Sequence, residues 1–210
     1  AQIGNLVVTE GFTGPQMLKT FERIAAIKDD LKDQRLRFVA VRDLRWYSSA
    51  TGDMNRSLDH AKALMHIALQ IEEREHLIEA NLGLAIVYRY IGDQVQARKH
   101  FDRAQAIAST GASRKAVDEG SDANALPDPG IPANLALTLW LLGYPEQALA
   151  ASSRALAEAE KLNKPFETHI AQFFASVLYR HMHDVERVAV IAPQFSALGK
   201  RYDIRIAAFD

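Results

Sequence analysis

With 210 residues, 48% hydrophobic and 24% charged, the sequence has the composition of a folded chain, and its formal net charge of -1 offers no basic surface to neutralise a nucleic-acid backbone. No cysteine is present, which excludes a disulfide framework and a thiolate zinc site and is compatible with a reducing cytoplasm, the expected location. The longest uncharged stretch, 129–145, is broken by Pro and Gly and falls short of the roughly 20 residues that span a bilayer, so neither nucleic acid nor membrane is an expected partner.

Taken in chain order, apolar periodicity and capping residues predict helices over 1–9, 15–29, 32–50, 54–70, 74–91, 94–109, 131–142, 145–162, 166–182 and 185–199. Asp53, Asp93 and Asp184 stand where a carboxylate can accept from the free amides of a first helical turn. Pro145 suits a first helical position, and Asn163, Pro165 and Gly199 mark helix stops. The chain opens without Met in mid-helix pattern, and 204–209 has the apolar character of a further first helix, so the sequence reads as a piece of a longer protein.

The helices pair into five hairpins that turn at Gly11, Gly52, Gly92, Gly143 and His183, spaced by 41, 40, 51 and 40 residues. Eight and seven positions before each turn stand Ile3-Gly4, Leu44-Arg45, Leu84-Ala85, Leu135-Ala136 and Ala175-Ser176, a large residue followed by a small one in the first, third and fourth, with Arg45 breaking the small position and Ala175 standing in for the large one. After each turn one helix face repeats: Met17, Phe21 and Ile24; Ser57, Ala61 and Leu64; Ala97, Phe101 and Ala104; Ala148, Ser152 and Ala155; Val188, Ala192 and Phe195. Such units cannot bury their apolar faces singly, so they stack into an α-α solenoid, expected as one domain over 1–210. The extra spacing before Gly143 falls on 109–130, rich in Ser, Gly, Asp, Asn and Pro, expected as a long solvated inter-repeat loop, with a binding or regulatory loop as the alternative.

Leu84, Ala85, Tyr88, Gly92, Ala97, Phe101 and Ala104 resemble the tetratricopeptide (TPR) repeat, although the spacing of 40 exceeds the usual period of about 34. The resemblance implies an all-α, right-handed superhelix of five helix pairs. Asp128-Pro129-Gly130 with Trp140, Gly143, Tyr144, Pro145, Gln147, Ala148 and Leu149, and the earlier turn from Glu10 to Pro15, look like the carboxy-terminal repeats of bacterial adenylate or guanylate cyclases and signalling ATPases. That resemblance implies a regulatory arm of a cytoplasmic bacterial signal-transduction protein, lying after a nucleotide-binding module. The segment itself contains no G-x4-G-K-[ST] phosphate loop and no recognisable cyclase aspartate pair, so it is not expected to be an enzyme or to carry a cofactor.

The candidate site is therefore a partner-binding surface. Concave positions of such repeats fall on the first helix of each pair: Arg42, Trp46 and Ser49; Glu79, Leu82, Ile86, Arg89 and Tyr90; Ala133, Leu137 and Trp140; Phe173, Val177, Arg180 and His181. Aromatic side chains with arginines bury area and hold carboxylates bidentately, which suits a protein or peptide partner. Trp46, Trp140 and Phe173 equally suit spaces between repeats, and Arg89 and Arg180 equally suit capping of helix-end carbonyls. The carboxylate clamp of chaperone-binding repeats needs Lys and Asn where Trp46 and Ile86 stand. His181 and His183 are two apart and do not share a helix face, so they are expected as solvated side chains rather than metal ligands. His60, His66, His76 and His100 lack a nucleophile or metal partner in the sequence pattern. The functional expectation is a non-catalytic interaction or regulatory scaffold; the alternative is a peptide or small-ligand sensor in an ATPase-linked transcriptional regulator. Apolar ends predict that the isolated segment pairs with itself through Ile3, Leu6 and Val7 or Ile204, Ile206 and Phe209.

Overall fold

Three polar side chains set the phase of the fold. Asp53 accepts from the Arg56 amide, Asp93 from the Gln96 amide and Asp184 from the Arg187 amide, each at 3.0 Å, so each hairpin's second helix starts where the sequence predicts. In the computed structural model, which describes residues 15–109, 129–202 and 204, the described residues form helices without strands. They are α1 (Pro15–Ile27), α2 (Gln34–Ala50), α3 (Met54–Ile71), α4 (Arg74–Ile91), α5 (Gln94–Ser109), α6 (Gly130–Leu141), α7 (Pro145–Leu162), α8 (Pro165–His181) and α9 (Val185–Tyr202). The predicted helix over 1–9, its turn at Gly11, and the stretch 110–128 lie outside the described residues.

Each remaining turn enters the left-handed region, with φ of +81° at Gly52, +91° at Gly92, +82° at Gly143 and +55° at His183. Glycine accepts that conformation without a Cβ penalty. Pro145 and Pro165 open α7 and α8, and Asn163 ends α7 with φ +51°. Gly199 is not a stop: α9 continues to Tyr202, and a Cβ at Gly199 would lie 2.9 Å from His169 Cε1, so the glycine admits close helix approach.

The chain divides into two compact units, 1–125 and 126–210, and the division falls within the stretch read as an inter-repeat loop. In the first unit, Met17 and Phe21 of α1 pack on Leu44 of α2, with Phe21 stacked on Tyr47 at 4.3 Å. Phe38 and Val41 of α2 meet Leu64, Ile67 and Ala68 of α3 and Ala80 of α4. Ala61, Leu84 and Val87 continue that core, while Ala97, Phe101 and Ala104 bury one face of α5. Burial of a side chain the size of Phe101 stabilises by about 1.5–3 kcal/mol. Arg74 donates its Nε to Ile107 O at 3.0 Å and its Nη2 to Ala108 O, so α4 supplies the cap for the exposed carbonyls ending α5.

In the second unit, α6 is buried on nearly every side, from Gly130 through Leu139. Its uniformly apolar sequence explains this, since such a helix has no solvent face. Small residues bring its neighbours close: Ala133, Ala155, Ala159 and Ala171 form one core, flanked by Leu156 and Phe174. The fifth hairpin departs from the repeat register: on α9 it is Ile191 that is buried, while Ala192 is exposed and Val188 and Phe195 are half-buried.

A candidate partner-binding face

α2 and α4 are the first helices of successive hairpins, and an ion-pair chain ties them. Arg42 Nε donates to Asp43 Oδ1 at 3.0 Å and lies 3.7 Å from Glu79 Oε1. Arg42 itself is buried and Glu79 half-buried, which fixes the charges in place. Along the same two helices, Trp46 is 40% exposed and Tyr90 57% exposed, with Ile86 and Arg89 half-buried between surface and core. The Arg89 guanidinium carbon lies 4.5 Å from the Tyr90 ring centroid, a cation–π contact that holds both side chains at the end of α4. Six sequence-derived residues, Arg42, Trp46, Glu79, Ile86, Arg89 and Tyr90, thus belong to the adjacent helices α2 and α4 of one unit.

Ser49 is placed differently. Its hydroxyl lies 2.6 Å from Ser57 Oγ, inside the α2–α3 hairpin, where Ser57 Oγ also reaches Arg45 O at 3.3 Å. In the second unit, Trp140 is half-buried at the end of α6, and Ala133 and Leu137 are buried rather than available as lining. Phe173 turns toward its own hairpin, 5.2 Å from Phe174 and 6.1 Å from Phe195 between centroids. Arg180 and His181 are exposed at the end of α8. A cavity of about 240 Å³ opens between Asn163, Lys164 and Pro165 at the α7–α8 turn and Arg201 and Tyr202 on α9, apart from every sequence-derived site residue.

Arg45 is the side chain that sequence reasoning registered only as a broken rule. It is 2% exposed, its Nε has no hydrogen-bond partner, and burial pushes its guanidinium pKa down to about 10 against an opposing pull from Glu79. Its room comes from Gly83 in the middle of α4, where a Cβ would lie 3.1 Å from Arg45 Nε and 3.2 Å from Cδ. A mid-helix glycine sacrifices about 1 kcal/mol of helix propensity, and an unpaired buried charge costs several kcal/mol. The guanidinium carbon lies 5.3 Å from the Trp46 ring centroid. A glycine one hairpin onward from an arginine in a small-residue position was the available signal.

Three of the seven histidines are bound into their own hairpins. His60 Nδ1 lies 3.3 Å from Ser48 Oγ, a pair that spacing did not suggest, and Ser48 is 3% exposed and closed to substrate. His100 Nδ1 meets Asn81 Oδ1 at 3.0 Å; because Asn81 Nδ2 donates to Leu77 O at 2.8 Å, Oδ1 accepts and His100 carries its proton on Nδ1. His169 stacks on Phe195 at 4.1 Å. Burial lowers the pKa of all three, reinforced at His60 by Lys28 and Arg56 and at His100 by Arg103 and Lys99. His76 meets Phe38 edge-on at 4.6 Å, and its Nδ1 lies 3.0 Å from Glu73 Oε2 without forming a hydrogen bond. Among the described residues, no group of three metal-ligating side chains converges, and no helix is long and apolar enough to cross a membrane.

Hairpins of this length, with a left-handed turn and small residues at the crossing, have counterparts among solved structures. BtubC (BKLC) from P. vanneervenii superposes with a TM-score of 0.64 at 14% identity, covering 100% of this chain and 88% of its own. This is a TPR-like fold. The nearly identical TPR-like repeats of a Podosopora anserina protein described as a kinesin light chain give TM-scores of 0.60 for a Q17M form and 0.58 for its parent, each at 13% identity. Coverage is 96% of this chain and 93% of the Q17M structure, and 97% and 95% for the parent. No protein-family model and no curated protein sequence matches the chain. The TPR-like hairpins supply a rigid frame on which α2 and α4 present their side chains.

Proposed function

We propose that this TPR-like region is a non-catalytic protein-interaction scaffold, and that the α2–α4 face of its first unit holds a peptide or an extended segment of a partner protein. The observation that carries the reading is the combination of exposed Trp46 and Tyr90 with arginines fixed by ion-pair and cation–π contacts. Exposed aromatics on a rigid frame bury area with little loss of side-chain freedom, and arginines beside them supply directional contacts. The cyclase-like and ATPase-like turn motifs support placing the region in a cytoplasmic bacterial signalling protein, as its regulatory arm. Self-association through Ile3, Leu6 and Val7 or through Ile204, Ile206 and Phe209 is part of this reading, and light scattering at high concentration tests it: a strictly monomeric profile removes it. The interaction face is tested by photo-crosslinking. Peptides selected from a random display library on the intact chain, carrying a benzophenone, should label α2 and α4; labelling confined to α3 or α5 would overturn the assignment.

A further inference from the structure

Arg45 brings two unfavourable features to one place. Its guanidinium is 2% exposed, no ion pair joins it to a carboxylate among the described residues, and its Nε has no hydrogen-bond partner. It also passes close over Gly83, within a helix, where a Cβ would lie 3.1 Å from its Nε. Leu84-Ala85 and Leu135-Ala136 fill the equivalent positions of other repeats with neither burden. A side chain retained where a small apolar one packs better points to a partner that pairs with it.

The direction of the side chain says where that partner comes from. Its guanidinium carbon lies over the Trp46 ring, and Trp46 is 40% exposed on the face described above. Arg42, three residues earlier and on the same side of α2, is buried against Asp43 and Glu79. Arg42 holds Asp43 and Glu79, which leaves the single guanidinium of Arg45 for an incoming anion, and one carboxylate meets less repulsion from those two fixed carboxylates than a dianion does. A planar carboxylate also matches the guanidinium fork.

We propose that Arg45 receives a glutamate or aspartate side chain of a docked peptide, with rotation of the Trp46 indole opening the way to it. The inference rests on the α2–α4 face being the partner-binding surface. Burial that draws the Arg45 pKa down to about 10 agrees with a guanidinium whose counter-ion arrives with the ligand.

The test uses the full chain, labelled with 15N, and follows the indole N–H of Trp46, one of two tryptophans. The probes are N-acetyl-glutamate N-methylamide, its glutamine counterpart and inorganic phosphate, at matched ionic strength. The glutamate probe should give a saturable shift, the glutamine probe should bind about tenfold or more weakly, and Arg45→Gln should erase the difference. Should Arg45→Gln fail to fold, the glutamate-against-glutamine comparison in the wild-type chain decides alone. Equal shifts with both amides, or no saturable shift, would overturn the role of Arg45; phosphate binding as tightly as the glutamate probe would overturn the carboxylate assignment. Selected peptides that still crosslink to α2 and α4 in either case would leave the interaction face standing without it.

Discussion

Gly83 and Arg45 form a couple whose energetics can be separated. Gly83→Ala gains helix propensity but sets a Cβ 3.1 Å from Arg45 Nε, a contact that the buried arginine relieves only by shifting a few tenths of an ångström. Overpacking of this kind costs about 1–3 kcal/mol, so Gly83→Ala should destabilise the chain by about 1 kcal/mol net. In an Arg45→Ala background the same change should stabilise by about 1 kcal/mol, and urea unfolding of the four variants measures the coupling. Equal effects in both backgrounds would mean that the close approach carries no strain. Position 45 was legible as an exception to the large-then-small rule, but its partner was not. A glycine inside a helix has several uses, and only three-dimensional proximity shows which side chain takes its place.

The buried histidines give a second prediction at this scale. Burial lowers the pKa of His60, His100 and His169 below the ordinary value of 6.5. Between the folded and unfolded values the unfolded chain binds more protons, so stability rises with pH there. The contribution is fully present above about pH 6.5 and is lost as pH falls through the folded-state values. The melting temperature should therefore drop between pH 7.5 and pH 5, and His100→Asn, whose amide nitrogen takes the place of Nδ1 and can still donate to Asn81, should flatten the profile. A melting temperature that rises on acidification over that interval would contradict the assignment.

At the scale of the helix pair, the turns were the most legible part of the chain. Gly52, Gly92 and Gly143 announced left-handed turns because few other residues tolerate them, and the aspartates that follow Gly52 and Gly92 announced the next helix start. Gly92→Ala should cost about 1–2 kcal/mol from φ +91° alone, and Asp93→Ala about 1 kcal/mol from the lost cap, both read by chemical denaturation. Less legible was α9. Its buried side is marked by Ile191 rather than Ala192, and Gly199 serves the approach of His169 instead of ending the helix. A pattern fitted on four hairpins cannot anticipate a local change of face in the fifth. Arg74 caps the carbonyls that end α5, a role hidden in the sequence because Ile107 and Ala108 lie 33 and 34 residues away.

For the molecule as a whole, hairpin repeats were readable from spacing and composition, whereas the candidate site was readable only in part. Counting from the turns placed Arg42, Trp46, Glu79, Ile86, Arg89 and Tyr90 on two neighbouring helices. The same counting could not show that Ser49 bonds to Ser57 or that Phe173 turns toward Phe195, since both depend on rotamers set by the second helix. The central claim is that the α2–α4 face carries the affinity for a peptide. Calorimetric titration of a display-selected peptide into the wild-type chain and into the Trp46→Ala, Arg89→Ala double variant tests it most directly. Removing an aromatic anchor and its neighbouring arginine should weaken Kd at least tenfold, about 1.4 kcal/mol or more, with the melting temperature of the free chain little changed. An unchanged Kd in a folded double variant would contradict the claim and move the interaction to another face.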